Sequence, residues 1–394
     1  MFVLLFAAIA IGWLLGRRST FVSSRSDSYF HKQDKTRSSG GDATSHEAVE
    51  DGLALDGASP QARLAMGVQL RRRGEVDGAV RIHQELLARP SLPEDDIGRA
   101  RLELARDYIS AGLLDRAEEL LLELVREFPR QSRAGHVHLL EIYEAEREWR
   151  RAIDVATGLL PRKLRRNKKL HEGPLSQGQK PALRLAHYYC ELAEEERLGG
   201  NNDAASALLR QALDYDRQCV RAAMLLGQVE YDSGHYQSAA QALQRVRLQD
   251  PDYLPETITL LRKCYAALND EKTLRAYLLE CLTARSTPAL VMAVAQDMAV
   301  HEGGVATSHF LTQQLPESPS LGGMSQLIGL QLEASKEALR ADLELLQNLT
   351  RRLVASRPSY RCNHCGFAGK YLHWNCPGCK HWGTIKAIDE PGSH

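Results

Sequence analysis

One feature constrains the fold of this 394-residue chain more than any other: helical segments that place small and large residues in the same order, about every 34 residues. Residues 98–131 carry Leu104-Ala105, Tyr108, Gly112, Ala117, Leu121, Leu124 and Pro129. Residues 220–253 repeat the order with Leu226-Gly227, Gly234, Ala239, Leu243, Val246 and Pro251. Shorter matches are Met66-Gly67, Gly74 and Ala79 in 60–93, and Leu139, Tyr143, Trp149 and Ala152 in 133–160. Residues 186–218 add Leu192-Ala193, Gly199-Gly200, Ala205, Leu209 and Ala212, and a weaker copy with Tyr265, Leu274 and Leu278 spans about 255–284. Small residues let two helices approach closely, and large ones fill the holes between them.

This order is the tetratricopeptide pattern, so the expected fold is all-α: a tetratricopeptide-repeat solenoid over residues 60–284. Recurrence of the same small-residue positions in five copies argues against a compact bundle. A solenoid presents a concave surface that binds peptides or protein segments. From 285 to 321 the pattern blurs at Pro288, Gly303-Gly304, Pro316 and Pro319. Leucine spacing returns from 323 to 357, so 285–357 reads as degenerate terminal repeats ending in two helices. Arg71, Arg72 and Arg73 read as cations placed at a helix C-terminus.

The first sixteen residues, MFVLLFAAIAIGWLLG, hold no charge, and Arg17 and Arg18 follow. As a helix they span roughly 24 Å, short of a bilayer core of about 30 Å but within reach by arginine snorkelling and membrane thinning. A signal peptide would carry its positive charges first, and a buried core helix would show a polar stripe. Residues 1–18 are therefore expected to be a single-pass transmembrane anchor, with the remainder on the cytoplasmic side. Residues 19–59, rich in Ser, Thr, Gly and Asp, read as a flexible linker. The insertion 161–181 places six basic residues between Arg162 and Lys169, as a solvated loop or a contact for anionic headgroups.

Four of the eight cysteines form two C-x-x-C pairs, Cys362/Cys365 and Cys376/Cys379. Each pair suits a tight turn with both thiolates facing one point. Two such turns make an all-sulfur tetrahedral site for one metal ion, zinc or iron. Nearby His364, His373 and His381 are then spectators. Tyr360, Phe367, Trp374 and Trp382 supply apolar cover to a very small module, residues 358–388. The expectation is that it docks on the helices and closes the far end of the groove. Cys190, Cys219, Cys264 and Cys281 stand singly in helical segments and read as reduced, half-buried apolar residues, which fits a reducing compartment.

Several stretches carry a family resemblance: GWLLGRRS at the end of the anchor, RRRGEVDGAVRIHQELL at 71–87, HYYCELAEEER at 187–197, and YRCNHCGF with WNCPGCKHWGTIK at the C-terminus. Together they resemble the lipopolysaccharide assembly protein B family of Gram-negative bacteria over nearly the whole chain. The resemblance implies a protein on the cytoplasmic face of the inner membrane. It implies an adaptor through which a membrane-bound AAA+ protease degrades the deacetylase that commits precursor to lipid A, and which gathers other lipopolysaccharide-assembly proteins. It names the C-terminal module rubredoxin-like and carries the metal-ligand role onto Cys362, Cys365, Cys376 and Cys379. Two departures stand out. Residues 28–57 are too polar and Gly-rich for the repeat that usually follows the anchor, and the insertion 161–181 is longer than expected.

Acidic and basic residues balance at 50 each, which disfavours nucleic acid as a partner. The sequence holds no nucleophile–base pair, phosphate loop or paired-carboxylate motif, so a non-enzymatic adaptor is expected. The alternative is a rubredoxin-like electron-transfer protein scaffolded on a helical repeat, for which CPGC at 376–379 speaks. Homo-oligomerisation and the identity of the metal are left open by the sequence.

Overall fold

The computed structural model describes residues 59–160, 181–335 and 337–388. The anchor expected at 1–18, the linker at 19–59 apart from Ser59, and the insertion at 161–181 apart from Pro181 lie outside those residues. Among the described residues, no helix is long and apolar enough to cross a membrane.

Helices stack in pairs. The first pairs are α1 (Pro60–Arg73) with α2 (Val76–Leu87), α3 (Glu94–Ser110) with α4 (Leu114–Glu127), and α5 (Ser132–Glu146) with α6 (Trp149–Leu159). Next come α7 (Pro181–Leu198) with α8 (Asn202–Tyr215), and α9 (Val220–Asp232) with α10 (Tyr236–Gln244). A short α11 (Val246–Gln249) and a 3₁₀ turn, Pro251–Tyr253, lead to α12 (Leu254–Ala267) and α13 (Glu271–Ala284). The stack ends with α14 (Pro288–His301) and α15 (Gly304–Gln314), then α16 (Leu321–Ala334) and α17 (Glu337–Ser356).

One turn chemistry recurs between the two helices of six pairs. Residues 74, 112, 147, 200, 234 and 269 all have left-handed φ, between 54° and 87°. The following amide donates back to a carbonyl five residues earlier: Glu75 to Leu70, Leu113 to Tyr108, Asn201 to Glu196, His235 to Glu230 and Asp270 to Tyr265. This Schellman closure satisfies the orphan carbonyls at the end of the first helix and turns the chain into the second. Glycine adopts it without penalty. Arg147 and Asn269 hold the same place without glycine, which is why the third and sixth repeats lack the marker that reveals the others.

The repeat positions read from the sequence are the core. Ala79, Ala105, Ala117, Ala152, Ala205, Ala212 and Ala239 are fully buried, with Leu121, Leu124 and Leu209. The blurred stretch 285–321 contains the pair α14/α15. Its apparent breakers are element boundaries: Pro288 opens α14 behind a Thr287 cap, and Gly303 makes the turn.

Arg71 does more than face a helix end. It pairs with Glu103 and Asp107 of α3, both at 2.5 Å. The buried His83 ring meets the other Asp107 oxygen, also at 2.5 Å, so a polar network links the first two pairs. That ring fits because Gly67 has no side chain: a Cβ there would lie 2.4 Å from His83 Nε2. Gly67→Ala is expected to destabilise the chain by about 1–3 kcal/mol through overpacking. A lower urea midpoint with unchanged slope would register it, and an unchanged midpoint would contradict it.

The C-terminal module is a three-stranded antiparallel sheet in the order β2 (Ala368–Gly369), β1 (Tyr360–Cys362), β3 (Ile385–Ala387).

Candidate metal centre and the groove beside it

The two C-x-x-C turns are near copies. In the first, the Gly366 amide donates to the Cys362 carbonyl at 2.9 Å, with Gly366 at φ 76°. In the second, the Lys380 amide donates to the Cys376 carbonyl at 2.8 Å, with Lys380 at φ 57°. Each turn aims two sulfurs inward. The space at Gly378 is needed for this, because a Cβ there would stand 3.3 Å from the Cys365 sulfur.

All four sulfurs lie within 4.8 Å of one another. Cys362 and Cys379 are separated by 3.8 Å, and Cys365 and Cys376 by 3.6 Å. A tetrahedral shell with metal–sulfur bonds of about 2.3 Å requires sulfurs about 3.8 Å apart. The donor set therefore fits one metal ion. Electrostatics point the same way. Burial opposes ionisation of Cys362, but the Thr384 hydroxyl and the backbone amides of Cys365 and His364 outweigh it and bring the thiol down to about 6. Burial and the neighbouring sulfurs push Cys376 and Cys379 upward. Sulfurs this close oppose one another's ionisation, and a cation among them is what would hold all four as thiolates. With four sulfur ligands the shell is closed and has no open position for a substrate.

The histidines are arranged around this shell. His364 and His381 stack with centroids 3.9 Å apart, and their ring nitrogens lie with the Cys379 sulfur within 4.8 Å. His373 meets Phe367 edge-on.

The module does not close the far end of the groove. It folds back from α17 and docks on the middle of the solenoid. Trp382, 3% exposed, stacks on His187 at 4.9 Å and meets Trp149 and Tyr188 edge-on. Its indole N–H donates to Glu144 at 3.1 Å, and that carboxylate also takes Arg184 and the Tyr188 hydroxyl. Trp374 stacks on Tyr253 at 5.3 Å. The Tyr253 hydroxyl donates to the Ile385 carbonyl at 2.8 Å, and Tyr360 donates to Glu256 at 2.8 Å. Lys386 bridges Asp250 and Asp252 at 2.8 and 2.6 Å. The interface thus consists of aromatic faces with hydrogen bonds at their tips, an arrangement in which indole and phenol bury area without orphaning their polar atoms.

None of these solenoid partners has a local sequence signal. Trp149 and Tyr188 read as ordinary repeat residues, and only folding brings them to a tryptophan about two hundred residues further on. Lys386 opposite Asp250 and Asp252 is equally silent.

His187 is enclosed by this interface. Burial, reinforced by the Arg221 cation, holds its pKa far below the ordinary imidazole value of 6.5, at about 3. Below pH 6.5 the unfolded chain takes a proton that the folded chain refuses, so stability falls as pH drops from 6.5 towards 3. Between pH 7 and 5 the loss is about 2 kcal/mol. Urea titrations of wild type and His187→Gln over that range should differ by this amount. Parallel pH profiles would contradict the assignment.

Beside the docked module lies a cavity of about 560 Å³. Its walls include Arg197 of α7, Arg221 and Leu225 of α9, Glu256 and Lys263 of α12, and Trp374 of the module. Mixed charges around an apolar floor suit a polypeptide segment better than a small apolar ligand.

Two family models agree with this architecture. A family model described as a rubredoxin metal binding domain matches residues 360–387, and a tetratricopeptide repeat model matches 198–264. The lipopolysaccharide assembly protein B of Escherichia coli strain K12 is 33% identical, covering 98% of this chain and 97% of its own. That of Haemophilus influenzae is 29% identical, covering 98% of each. Among solved structures, a tetratricopeptide repeat protein from Parabacteroides merdae is 13% identical over 74% of this chain, with a TM-score of 0.33.

Proposed function

Because the chain belongs to the lipopolysaccharide assembly protein B family, we propose that it is a non-catalytic adaptor held at the inner membrane by residues 1–18. Its groove presents partner proteins to one another on the cytoplasmic side. The finer reading is that it sets lipopolysaccharide levels by bringing the lipid A-committing deacetylase to a membrane AAA+ protease, and that it also gathers other lipopolysaccharide-assembly proteins. Cys362, Cys365, Cys376 and Cys379 are the ligands of one ion, zinc or iron, whose part is to hold the module in shape.

A single observation carries this reading: Trp374 of the metal module is a wall of the cavity formed by α7, α9 and α12. The module shapes a binding surface, and a closed sulfur shell is suited to that task. A photocrosslinking residue at Leu225, used in intact membranes, is expected to trap the deacetylase or the protease. Depletion of the protein is expected to lengthen the deacetylase half-life and raise lipopolysaccharide. If depletion left both unchanged, the adaptor reading would be wrong.

The exposure of Cys365 supports a second reading, electron transfer, because it brings one residue of the sulfur shell to the surface. A red protein that bleaches reversibly on reduction would favour it. A colourless zinc protein would end it.

A further inference from the structure

The last helix of the solenoid turns its leucines outward. Towards α16, α17 presents Leu343, Gln347 and Thr350, of which only Thr350 is buried. Leu339, Leu346, Leu349 and Leu353 are 62%, 50%, 46% and 49% exposed, and Leu345 beside them is 59% exposed. At 100° per residue they form one continuous stripe, about a quarter turn from the face that meets α16. The spacing is that of a coiled-coil seam: Leu339, Leu346 and Leu353 at one heptad position, Leu349 and Asp342 at the other. Several half-exposed leucines on one helix amount to a patch on the order of 500 Å², which on a monomer marks an interaction surface.

We propose that α17 is the contact between two copies of this chain, with the two helices antiparallel about a twofold axis. Charge decides the occupant and its direction. In a parallel pair, like positions face each other, so Asp342 would meet Asp342 of the second copy across a leucine seam. In an antiparallel pair the two heptad positions alternate. Leu346 then meets Leu349 of the second copy, and Asp342 lies against Leu353 with Arg352 of that copy beside it. The twofold axis forms this ion pair twice, so the one charge in the seam is neutralised at both ends. Two such stripes bury about 1,000 Å², the lower bound for a specific interface. The association is therefore weak alone and is strengthened where the chains are concentrated on a membrane.

The full-length chain in mild detergent, followed by sedimentation equilibrium, tests this. Wild type is expected to dimerise at micromolar concentration, and Leu346→Arg to weaken dimerisation at least about tenfold. Asp342→Arg and Arg352→Asp should each be monomeric, since each places like charges together in its own pair. Mixing these two variants should restore a dimer, because both ion pairs then re-form, one as in wild type and one with its signs exchanged. Circular dichroism confirms that each variant is folded. A monomeric wild type, including one whose leucine stripe instead binds lipid vesicles, overturns the proposal. So does a dimer indifferent to Leu346→Arg, which would place the contact in the N-terminal segment or elsewhere. Failure of the mixture to associate rejects the antiparallel register.

Discussion

Replacing Cys376 with serine is expected to release the bound ion and unfold residues 358–388 while leaving the helices in place. The module's own core is little more than Cys362, Cys376 and Ile385 with partial cover from Tyr360, Phe367 and Leu372. Three strands of two or three residues cannot offset the entropy of ordering such a segment. In small sites of this kind, metal binding supplies about 10 kcal/mol or more of folding free energy, and without the metal the fold is absent. Metal analysis should then read zero, and the emission of Trp374 and Trp382 should shift to longer wavelength as both leave the solenoid. Far-UV circular dichroism should change little. Chelator at neutral pH should act on wild type in the same direction. A variant without metal that kept both tryptophans buried would show that the sheet holds itself together.

Trp382→Ala separates docking from metal binding. The side chain touches Trp149, His187, Tyr188 and Glu144, and truncating a buried aromatic of this kind costs about 3–5 kcal/mol. The sulfur shell lies in the module, so the ion should stay while the module leaves the groove. The expected result is one metal per chain, faster proteolysis between α17 and β1, and loss of partner crosslinking at Leu225. Trp382→Phe keeps the ring contact but removes the N–H donor to Glu144, and should lose only about 1 kcal/mol. If Trp382→Ala remained as protease-resistant as wild type, the other contacts, Tyr253 and Lys386 foremost, would be sufficient for docking.

Much of this architecture is legible from residue order, because its interactions are local or periodic. A helix pair closes on itself within one repeat, so Ala117 and Leu121 announce their burial through spacing alone. Two turns with paired cysteines place their own thiolates. Legibility fails where a residue of another type takes a recurring backbone position. Arg147 and Asn269 adopt the left-handed turn that glycine marks elsewhere. It fails again where a breaker is only a boundary, as at Pro288 and Gly303, and where a residue's partner is remote. Arg71 reads as a helix-end cation until α3 brings Glu103 and Asp107 to it.

Local order within the chain was therefore enough to determine the stacked helical pairs and the four-sulfur site. Both rest on contacts between residues a few positions, or one repeat, apart. Only the tertiary structure decided that the metal module returns to the middle of the solenoid, and that α17 keeps its leucines outward. Those outcomes depend on aromatic faces, carboxylates and cations that are far apart in the chain. Nothing in their local spacing links them, and their pairing is selected only when the assembled helices present complementary surfaces.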